Sequence, residues 1–333
     1  MKAFVVRQYG KGGVHAVDVP EPTVCPTDIL VKVSAASINP LDKMVRNGEF
    51  KQLLKYKRPF VLGHDLAGVV VEVGPGVRNF NIGDEVYARP RDLRIGAFAE
   101  YIAMNQNDVA HKPASLTLHE AAAVPLVALA AWQILVEKAQ LKRGQRVLVH
   151  GGSGGLGSTV IQLAKHLGAH VATTARGSTE ALVRDLGADV VIDYATEDFA
   201  QLLSDYDLVV DSLGGENLMK SLTVLKPGGL AVGVAGPPDP GFAKQLGAPK
   251  PFEFVMSFLS RKVRKVANEL GVRYSFFFMR ANGSQLSKLA ALYDAGHLRP
   301  VLDSTFPFER TLAALDYVES GKVPAGKVVV TLD

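Results

Sequence analysis

The stretch VLVHGGSGGLGSTVIQLAKHLG, residues 147–168, decides the fold of this chain. It opens with an apolar run at 147–149, which is typical of a strand buried on both faces of a parallel sheet. Three glycines follow in the spacing G-x-G-x-x-G, at Gly152, Gly154 and Gly157. Apolar residues then recur at helical spacing, so the stretch predicts a strand, a tight turn and a helix.

The glycine spacing predicts a dinucleotide site. The first glycine of such a turn allows the chain to reverse sharply, the second lets backbone approach a pyrophosphate, and the third lets the helix pack on the strand. Free N–H groups at the helix start, together with the helix dipole, attract the anion. A second strand pattern at 170–174 supplies the context that the motif requires. The predicted cofactor contacts here are Gly152, Ser153, Gly154, Gly155, Leu156 and Gly157.

The residues after that second strand favour NADPH over NADH. About 20 residues beyond the glycines, an NAD site places Asp or Glu on the ribose 2′-hydroxyl. Here the window reads TTARGS, residues 173–178, without a carboxylate before Glu180. An acid would repel a 2′-phosphate, whereas Arg176 with the hydroxyls of Thr174 and Ser178 would bind it through charge-assisted hydrogen bonds.

Composition limits the class of protein. With 333 residues, 47% hydrophobic and 21% charged, the chain has the composition of an ordinary globular protein with room for two domains. No run approaches the roughly 18 apolar residues of a membrane span, and no targeting signature is recognised. One cysteine, Cys25, excludes an internal disulfide and favours a reducing, cytoplasmic location. The mild net charge of +4, without a nucleic-acid motif, argues against nucleic acid as a partner.

Three segments are predicted along the chain. Residues 1–122 show short alternating runs separated by turn signals, which indicates a mostly β domain. A helix pattern from Leu118 to Leu135 crosses the next boundary. Residues 123–279 then show alternating strands and helices, which predicts an α/β fold with a doubly wound parallel sheet. Residues 280–333 are expected to return to the first domain. Strands are predicted at 147–150, 170–174, 189–192, 207–211, 229–234 and 274–279, and helices at 156–167, 179–186 and 215–224.

Ligands of such sheets bind beyond the carboxyl ends of the strands. The turns that follow the strands at 207–211 and 229–234 are therefore expected to line the cofactor site, through Leu213, Gly214, Ala235 and Gly236.

Residues 254–270 are predicted to form one basic amphipathic helix. Its apolar residues recur at helical spacing, and four cations, Arg261, Lys262, Arg264 and Lys265, lie on the other side. Packing over the cofactor domain, a contact between subunits and attachment to a membrane surface all remain open as uses for such a helix.

Several separate motifs together carry a family resemblance over essentially the whole chain. They are SINPLD at 37–42, LGHDLAG at 62–68, GDEVY at 83–87 and the glycine-rich segment at 152–162. In this order they resemble the medium-chain dehydrogenase/reductase superfamily, and within it the zinc-independent quinone and enone reductases, such as zeta-crystallin and the plant alkenal/one oxidoreductases. The resemblance implies a GroES-like catalytic domain interrupted by a Rossmann domain that binds NADPH.

The residues argue against a catalytic zinc. Zinc-dependent relatives present a cysteine, a histidine followed by glutamate, and a later third ligand. Here the early ligand position falls in residues 37–39 and the later one in residues 127–129, so only His64 remains, and it is followed by Asp65. Because a catalytic zinc needs three protein ligands, no metal is expected and His64 is interpreted as a structural histidine.

Without a metal, reduction of a conjugated carbonyl is the expected reaction. Hydride adds to the β-carbon, and hydrogen-bond donors must stabilise the negative charge on the carbonyl oxygen. Asn39 matches the asparagine that the family places in the cleft, and either binds the enolate or orders the loop. Asp42 lies in the same motif, while Lys43 is either an enolate contact or an exposed lysine. Water is the other candidate proton donor.

The resemblance adds two cofactor contacts. Tyr194 matches a family tyrosine near the adenosine phosphate, and Lys322 matches a basic position close to that phosphate in some relatives. Relatives are often dimers, so a homodimer acting on a small enone or quinone is expected. The alternatives are a one-electron quinone reductase and an NADPH-binding protein with a structural or membrane-surface role.

Overall fold

The structure is a computed structural model that describes residues 1–332. Its strands are β1 (Lys2–Val6), β2 (Val14–Asp18), β3 (Asp28–Ser37), β4 (Phe60–Val61), β5 (Asp65–Val73), β6 (Glu85–Ala88), β7 (Tyr101–Asn105), β8 (Val109–His111), β9 (Arg146–His150), β10 (His170–Ala175), β11 (Val190–Asp193), β12 (Tyr206–Asp211), β13 (Leu225–Gly233), β14 (Arg273–Phe276), β15 (Leu302–Pro307) and β16 (Lys327–Thr331). Its α-helices are α1 (Pro40–Asn47), α2 (Leu118–Ala122), α3 (Pro125–Trp132), α4 (Gly155–His166), α5 (Glu180–Asp185), α6 (Phe199–Leu202), α7 (Gly215–Thr223), α8 (Pro240–Gln245), α9 (Lys250–Leu259), α10 (Arg261–Glu269), α11 (Gly283–Asp294) and α12 (Thr311–Glu319).

The chain divides into two compact units. One contains Met1–Leu129 with the chain from Arg280 onward, and the other contains Ala130–Met279. The first division therefore falls after Leu129, whereas the sequence placed it after residue 122. Residues 123–129 stay with the first unit in part because the Leu126 N–H donates to the buried Asp65 carboxylate at 2.8 Å.

The unit at 130–279 is a doubly wound α/β sheet. Its six strands run in the order β11-β10-β9-β12-β13-β14, and every neighbouring pair is parallel. Because the chain moves outward from β9 in one direction and then in the other, this is the strand order of a Rossmann fold. The predicted α/β class is confirmed, and the predicted strands agree with the observed ones to within a few residues.

The other unit is built on the long strand β3. A seven-stranded sheet runs β15-β16-β3-β5-β6-β8, with β7 also paired to β3, and a three-stranded sheet has the order β2-β1-β4. The register aligns Ser37 with Asp65 of β5 and with Val329 of β16. The end of β3, the start of β5 and the last strand of the chain therefore meet in one place.

The helix pattern predicted from Leu118 to Leu135 is interrupted. The structure has α2, a break at Ala123–Val124, α3, and then a π-helical segment, Gln133–Lys138. The break precedes Pro125, which lacks a backbone N–H and disfavours helical dihedrals in the residue before it. Apolar periodicity alone does not reveal this, since the residues on both sides of the break are buried.

The single helix predicted at 254–270 is also wrong, because the structure has two helices, α9 and α10, that meet at Ser260. Ser260 is fully buried, and its hydroxyl donates to the Met256 carbonyl at 2.7 Å. A serine that bonds back to the carbonyl four residues earlier bends a helix, which accounts for the break.

Candidate functional site

Two of the three motif glycines are required by packing. A Cβ on Gly152 would lie 2.1 Å from the Thr173 hydroxyl, and one on Gly157 would lie 2.2 Å from the Gly151 carbonyl oxygen. The left-handed residue of the turn is Gly151, with φ +67°, so the sharp reversal that the sequence assigned to Gly152 is made one residue earlier.

The middle glycine of the motif, Gly154, faces open space. A Cβ there would meet only the Gly151 carbonyl oxygen, at an ordinary 3.4 Å. Because nothing in the protein requires glycine at this position, the bare backbone leaves room for a ligand that approaches closely. This is the feature predicted for the residue that faces a pyrophosphate.

The start of α4 offers donors for an anion. Gly154 precedes the helix in extended conformation, no side chain caps it, and no acidic residue lies in its first turn. The first N–H groups of a helix have no partner within it, and the dipole adds partial positive charge there. Gly155, Leu156 and Ser153 are partly exposed at this end. The loop therefore fits a nucleotide diphosphate.

A buried hydrogen-bond chain holds the loop from behind. The Gly151 N–H donates to the Thr174 hydroxyl at 3.2 Å, and that hydroxyl lies 3.0 Å from Nδ1 of His150. His150 Nε2 lies 2.8 Å from the Ser221 hydroxyl, which itself donates to the Asn217 carbonyl at 2.7 Å. The Ser221 proton is thus committed, so Nε2 carries the imidazole hydrogen and Nδ1 accepts from Thr174.

These hydrogen bonds require the imidazole of His150 to be neutral. Burial lowers the pKa of His150 from 6.5 to about 4, so it stays uncharged near neutral pH. Thr174 was predicted as a direct cofactor contact, but it is 2% exposed with its hydroxyl bonded inside the protein. The geometry gives it a supporting position behind the loop.

Arg176 and Tyr194 lie together on the surface, as the prediction of a 2′-phosphate site requires. The Arg176 Nε–H donates to the Tyr194 hydroxyl at 2.6 Å, and 53% of the tyrosine is exposed. A guanidinium has five N–H donors, so most of them remain for another acceptor. Ser178 is exposed nearby in sequence, and Glu180 pairs with Arg184 at 2.8 Å.

The turns after β12 and β13 meet, as predicted. A Cβ on Gly214, whose φ is +68°, would lie 2.7 Å from the Ala235 carbonyl oxygen. Asp211 fixes the first turn, because its carboxylate accepts from the N–H groups of Leu213 at 3.3 Å and Gly214 at 2.9 Å. Burial raises the pKa of Asp211. Leu213 is half-exposed at this edge, whereas Gly236 packs against the Tyr274 hydroxyl.

In the first unit, Asn39 is the centre of a buried polar cluster. Its amide Nδ2 donates to Asp65 at 2.8 Å and weakly to the Ser37 carbonyl at 3.4 Å, and its Oδ1 accepts from the Lys327 ammonium. The side chain is 1% exposed. Both ends of the amide are therefore already bonded within the protein.

Asp65 and Lys327 complete this cluster. One oxygen of Asp65 accepts from the Asn39 amide and from the Ser37 hydroxyl at 3.0 Å, and lies 3.3 Å from Lys327 Nζ. The other oxygen accepts from the Leu126 N–H at 2.8 Å. Lys327 is 6% exposed, and burial lowers its pKa.

Asp42 links Asn39 to His64. One of its oxygens accepts from the Asn39 N–H at 2.7 Å, which closes the start of α1 as a capping box, and the other lies 2.6 Å from His64 Nδ1. His64 is fully buried, and its Nε2 has no hydrogen-bond partner among residues 1–332. Lys43, one residue after Asp42, is exposed, and so is Lys322.

The sequence missed Lys327 and the role of Asp65. The capping box was readable as Asn39 followed three residues later by Asp42. No sequence pattern marks Lys327 as buried. It is a lysine at the start of an apolar strand, and a lysine in such a position usually keeps its ammonium group in water.

The donor set does not fit a catalytic zinc. His64 is the one residue of a common zinc-ligand type among the matched ligand positions, and Val127, Ala128 and Leu129 at the later position are buried and apolar. In the described part of the chain, no group of three or more His, Cys, Asp or Glu side chains is arranged to hold a metal ion. We therefore derive no step through a metal.

Comparison with known proteins agrees with both units. A protein-family model described as "Alcohol dehydrogenase GroES-like domain" matches residues 25–114, and one described as "Zinc-binding dehydrogenase" matches residues 186–330. The chain is 36% identical to the mitochondrial NAD(P)H oxidoreductase RTN4IP1 of Danio rerio, over 100% of this chain and 91% of that protein. It is 36% identical to the chloroplastic NADPH-dependent alkenal/one oxidoreductase of Arabidopsis thaliana, over 99% of this chain and 79% of that protein.

A solved structure gives the same result. The quinone oxidoreductase of Coxiella burnetii has 32% identity and a TM-score of 0.86, covering 100% of this chain and 99% of that one. The fold and the glycine-rich loop define a nicotinamide-dependent oxidoreductase. The chain belongs to the medium-chain dehydrogenase/reductase superfamily, in its branch of NADPH-dependent quinone and enone reductases.

The predicted family, fold class and NADPH cofactor are thereby confirmed. The roles of individual site residues and the cytoplasmic location stay predictions, since the relatives named above include mitochondrial and chloroplastic proteins. Within residues 1–332, no helix is both long enough and apolar enough to cross a membrane.

Replacing Gly154 should separate binding from folding. In Gly154→Val the new Cβ has an ordinary contact, so we expect little change in stability, but the side chain occupies the space for the pyrophosphate. NADPH affinity, measured by calorimetry, should fall at least tenfold, about 1.4 kcal/mol. The matched variant Gly157→Val should instead unfold, since its Cβ would lie 2.2 Å from backbone. Tight NADPH binding by Gly154→Val would contradict the assignment.

Removing the Lys327 charge should destabilise the protein strongly. Lys327→Met leaves Asp65 buried without its cation, and breaking a buried ion pair from one side costs about 3–5 kcal/mol. Denaturant unfolding measures this loss of free energy. The control is Lys322→Met, an exposed lysine five positions earlier, which should change stability by less than about 0.5 kcal/mol. Equal effects of the two variants would show that the cluster is not structural.

Proposed function

We propose that the chain transfers hydride from NADPH to the β-carbon of enones and alkenals, and to quinones, without a metal ion. The observation that carries the cofactor part of this proposal is the loop at 151–157, where the backbone of Gly154 is bare and open while Gly152 and Gly157 are closed by packing. The names of the relatives support the substrate class, since they include an alkenal/one oxidoreductase and a quinone oxidoreductase.

Each part of NADPH has residues that fit it in the unit at 130–279. The pyrophosphate fits the N–H groups of Gly155 to Gly157 at the start of α4. The 2′-phosphate fits the exposed guanidinium of Arg176 beside Tyr194, with Ser178 as a further donor. The nicotinamide fits the backbone of Leu213, Gly214 and Ala235 at the ends of β12 and β13. NADPH bound in this way supplies the hydride.

The buried cluster supports the loop-ordering role for Asn39 over the enolate-binding one. Its Nδ2 group is committed to Asp65 and its Oδ1 to Lys327, so no strong donor is free for an enolate. We assign Asn39 and Asp42 to ordering the start of α1. The exposed ammonium of Lys43, next along this helix, is then the nearest mobile donor of the motif for a developing negative charge, with water as the other source of a proton.

Two features support the proposed assembly and location. No strand of the described residues pairs with the outer edge of β14, and an open edge is a template for pairing with another chain. This supports a homodimer. The single cysteine, Cys25, is exposed and free, which fits a reducing, cytoplasmic location.

Arg176→Ala should change the choice of cofactor. A hydrogen bond to a charged group contributes about 1.5–3 kcal/mol, so kcat/KM for NADPH with a small enone should fall roughly 10- to 150-fold. With NADH, which lacks the 2′-phosphate, the change should stay within about twofold. Initial rates, followed by loss of the reduced-nicotinamide absorbance, give both values.

The matched control is Arg184→Ala, an exposed arginine on the next helix that pairs with Glu180. It should leave both cofactors unaffected. Equal losses for NADPH and NADH in Arg176→Ala would remove the 2′-phosphate assignment. Turnover of an aliphatic ketone in preference to the enone would contradict the proposed reaction. Loss of enone turnover in the presence of a metal chelator would contradict it as well.

A further inference from the structure

Helix α9 presents an apolar face that the protein leaves uncovered. Phe254 is 78% exposed, Phe258 69%, Leu259 53% and Val255 52%. Their spacing of one, four and five residues places them on one side of the helix, while Met256 on another side is buried. The sequence left open whether this face packs on the cofactor domain, contacts another subunit or meets a membrane. A contiguous exposed apolar cluster of this kind marks an interaction surface.

Cations follow this face directly along the chain. Hydrogen bonds continue across the bend, from the Ser260 N–H to the Met256 carbonyl and from the Arg264 N–H to the Ser260 carbonyl, each at 3.0 Å. Across this bend Lys262 follows Phe258 by four residues and Leu259 by three, so the cations adjoin the end of the apolar face. Both Arg261 and Lys262 are exposed.

The positive charge on these helices is mostly uncompensated. Together α9 and α10 carry five cationic residues, Lys250, Arg261, Lys262, Arg264 and Lys265, and only two acidic ones, Glu253 and Glu269. The ion pairs of those two acids are long, 3.9 Å from Glu253 to Lys244 and 3.7 Å from Glu269 to Lys265. Arg261 and Lys262 form no ion pair with any residue from 1 to 332.

We propose that this α9–α10 surface, Phe254, Val255, Phe258 and Leu259 with Arg261 and Lys262, docks on an anionic lipid bilayer. An amphipathic helix lies in the interface with its apolar side chains among the acyl chains and its cations at the headgroups. Anionic lipid satisfies both halves of the surface, whereas an apolar protein partner would leave the cations unneutralised. Stable peripheral attachment takes two signals, and here one apolar face and one basic cluster supply them.

This surface lies outside the glycine-rich loop, and the proposal does not depend on the reaction. The experiment is co-sedimentation of the full chain with vesicles of phosphatidylcholine alone and of phosphatidylcholine with phosphatidylglycerol. We expect binding to the anionic vesicles, weak binding to the neutral ones, and release by salt.

Two double variants test the two halves. Phe254→Ser with Phe258→Ser, and Arg261→Glu with Lys262→Glu, should each weaken partition at least tenfold. Burying a Phe side chain contributes about 1.5–3 kcal/mol, and each basic residue near such a surface contributes about fivefold. The matched controls lie in the other unit. They are Ile82→Ser, where the side chain is 68% exposed, and Lys55→Glu with Lys57→Glu, which are also exposed. Both controls should bind like the unchanged protein.

Three results would overturn the proposal. The first is no binding of the unchanged protein to anionic vesicles, and the second is equal weakening by the control variants. The third is a shift to a smaller species in sedimentation velocity when Phe254 and Phe258 are replaced, because a second copy of the chain would then be the occupant. Unchanged NADPH affinity in every variant verifies that the fold is intact.

Discussion

The Lys327 ammonium, buried against Asp65 and the Asn39 amide, is the interaction on which the first unit depends. It joins a lysine at the start of the last strand to the ends of β3 and β5, across 262 residues of sequence to Asp65 and 288 to Asn39. Burial disfavours its charge, and the carboxylates of Asp65 and Asp42 counteract that. A charge held in this way is stable only while each partner stays in place. The intervening unit, residues 130–279, is therefore inserted into a domain that closes only when the chain returns.

The same cluster supports the structural role that we propose for the asparagine of the motif at 37–42. Asn39 begins α1, is capped by Asp42, and places its amide between an anion and a cation. Orientation of the amide is fixed by that pairing, since the ammonium can only donate and the carboxylate can only accept. The role that we propose for Asn39 is thus to fix the start of α1, the helix that carries the exposed Lys43.

The parts of this protein that follow from local chemistry were predictable. The strand, turn and helix at 147–168 can be recognised in the sequence, because the glycine spacing, the short apolar run and the helical periodicity all lie within one stretch. The adjacency of Gly214 and Ala235 followed from one rule about the carboxyl ends of parallel strands. The Lys327 cluster was not predictable in this way, because its members are separated by hundreds of residues and a lysine usually stays in water.

The failure at 254–270 has a different physical cause. Apolar periodicity reports that a helix has an apolar side, but not whether the protein covers that side. Here Val263 is buried while Phe254 and Phe258 are not, and the change occurs at Ser260, whose hydroxyl bends the chain. Nothing in the periodicity distinguishes the two halves, so one continuous helix was predicted and the use of its apolar face stayed open. The structure turns that face into the surface that we assign to a membrane.

The central claim is that hydride passes from NADPH to the β-carbon of a conjugated carbonyl. The most direct test uses NADPH that carries deuterium at the transferred position, a small enone as substrate, and nuclear magnetic resonance of the saturated product. The account predicts one deuterium on the β-carbon and a solvent proton on the α-carbon. Deuterium on the carbonyl carbon of an alcohol product, or a reduced product without the label, would contradict it.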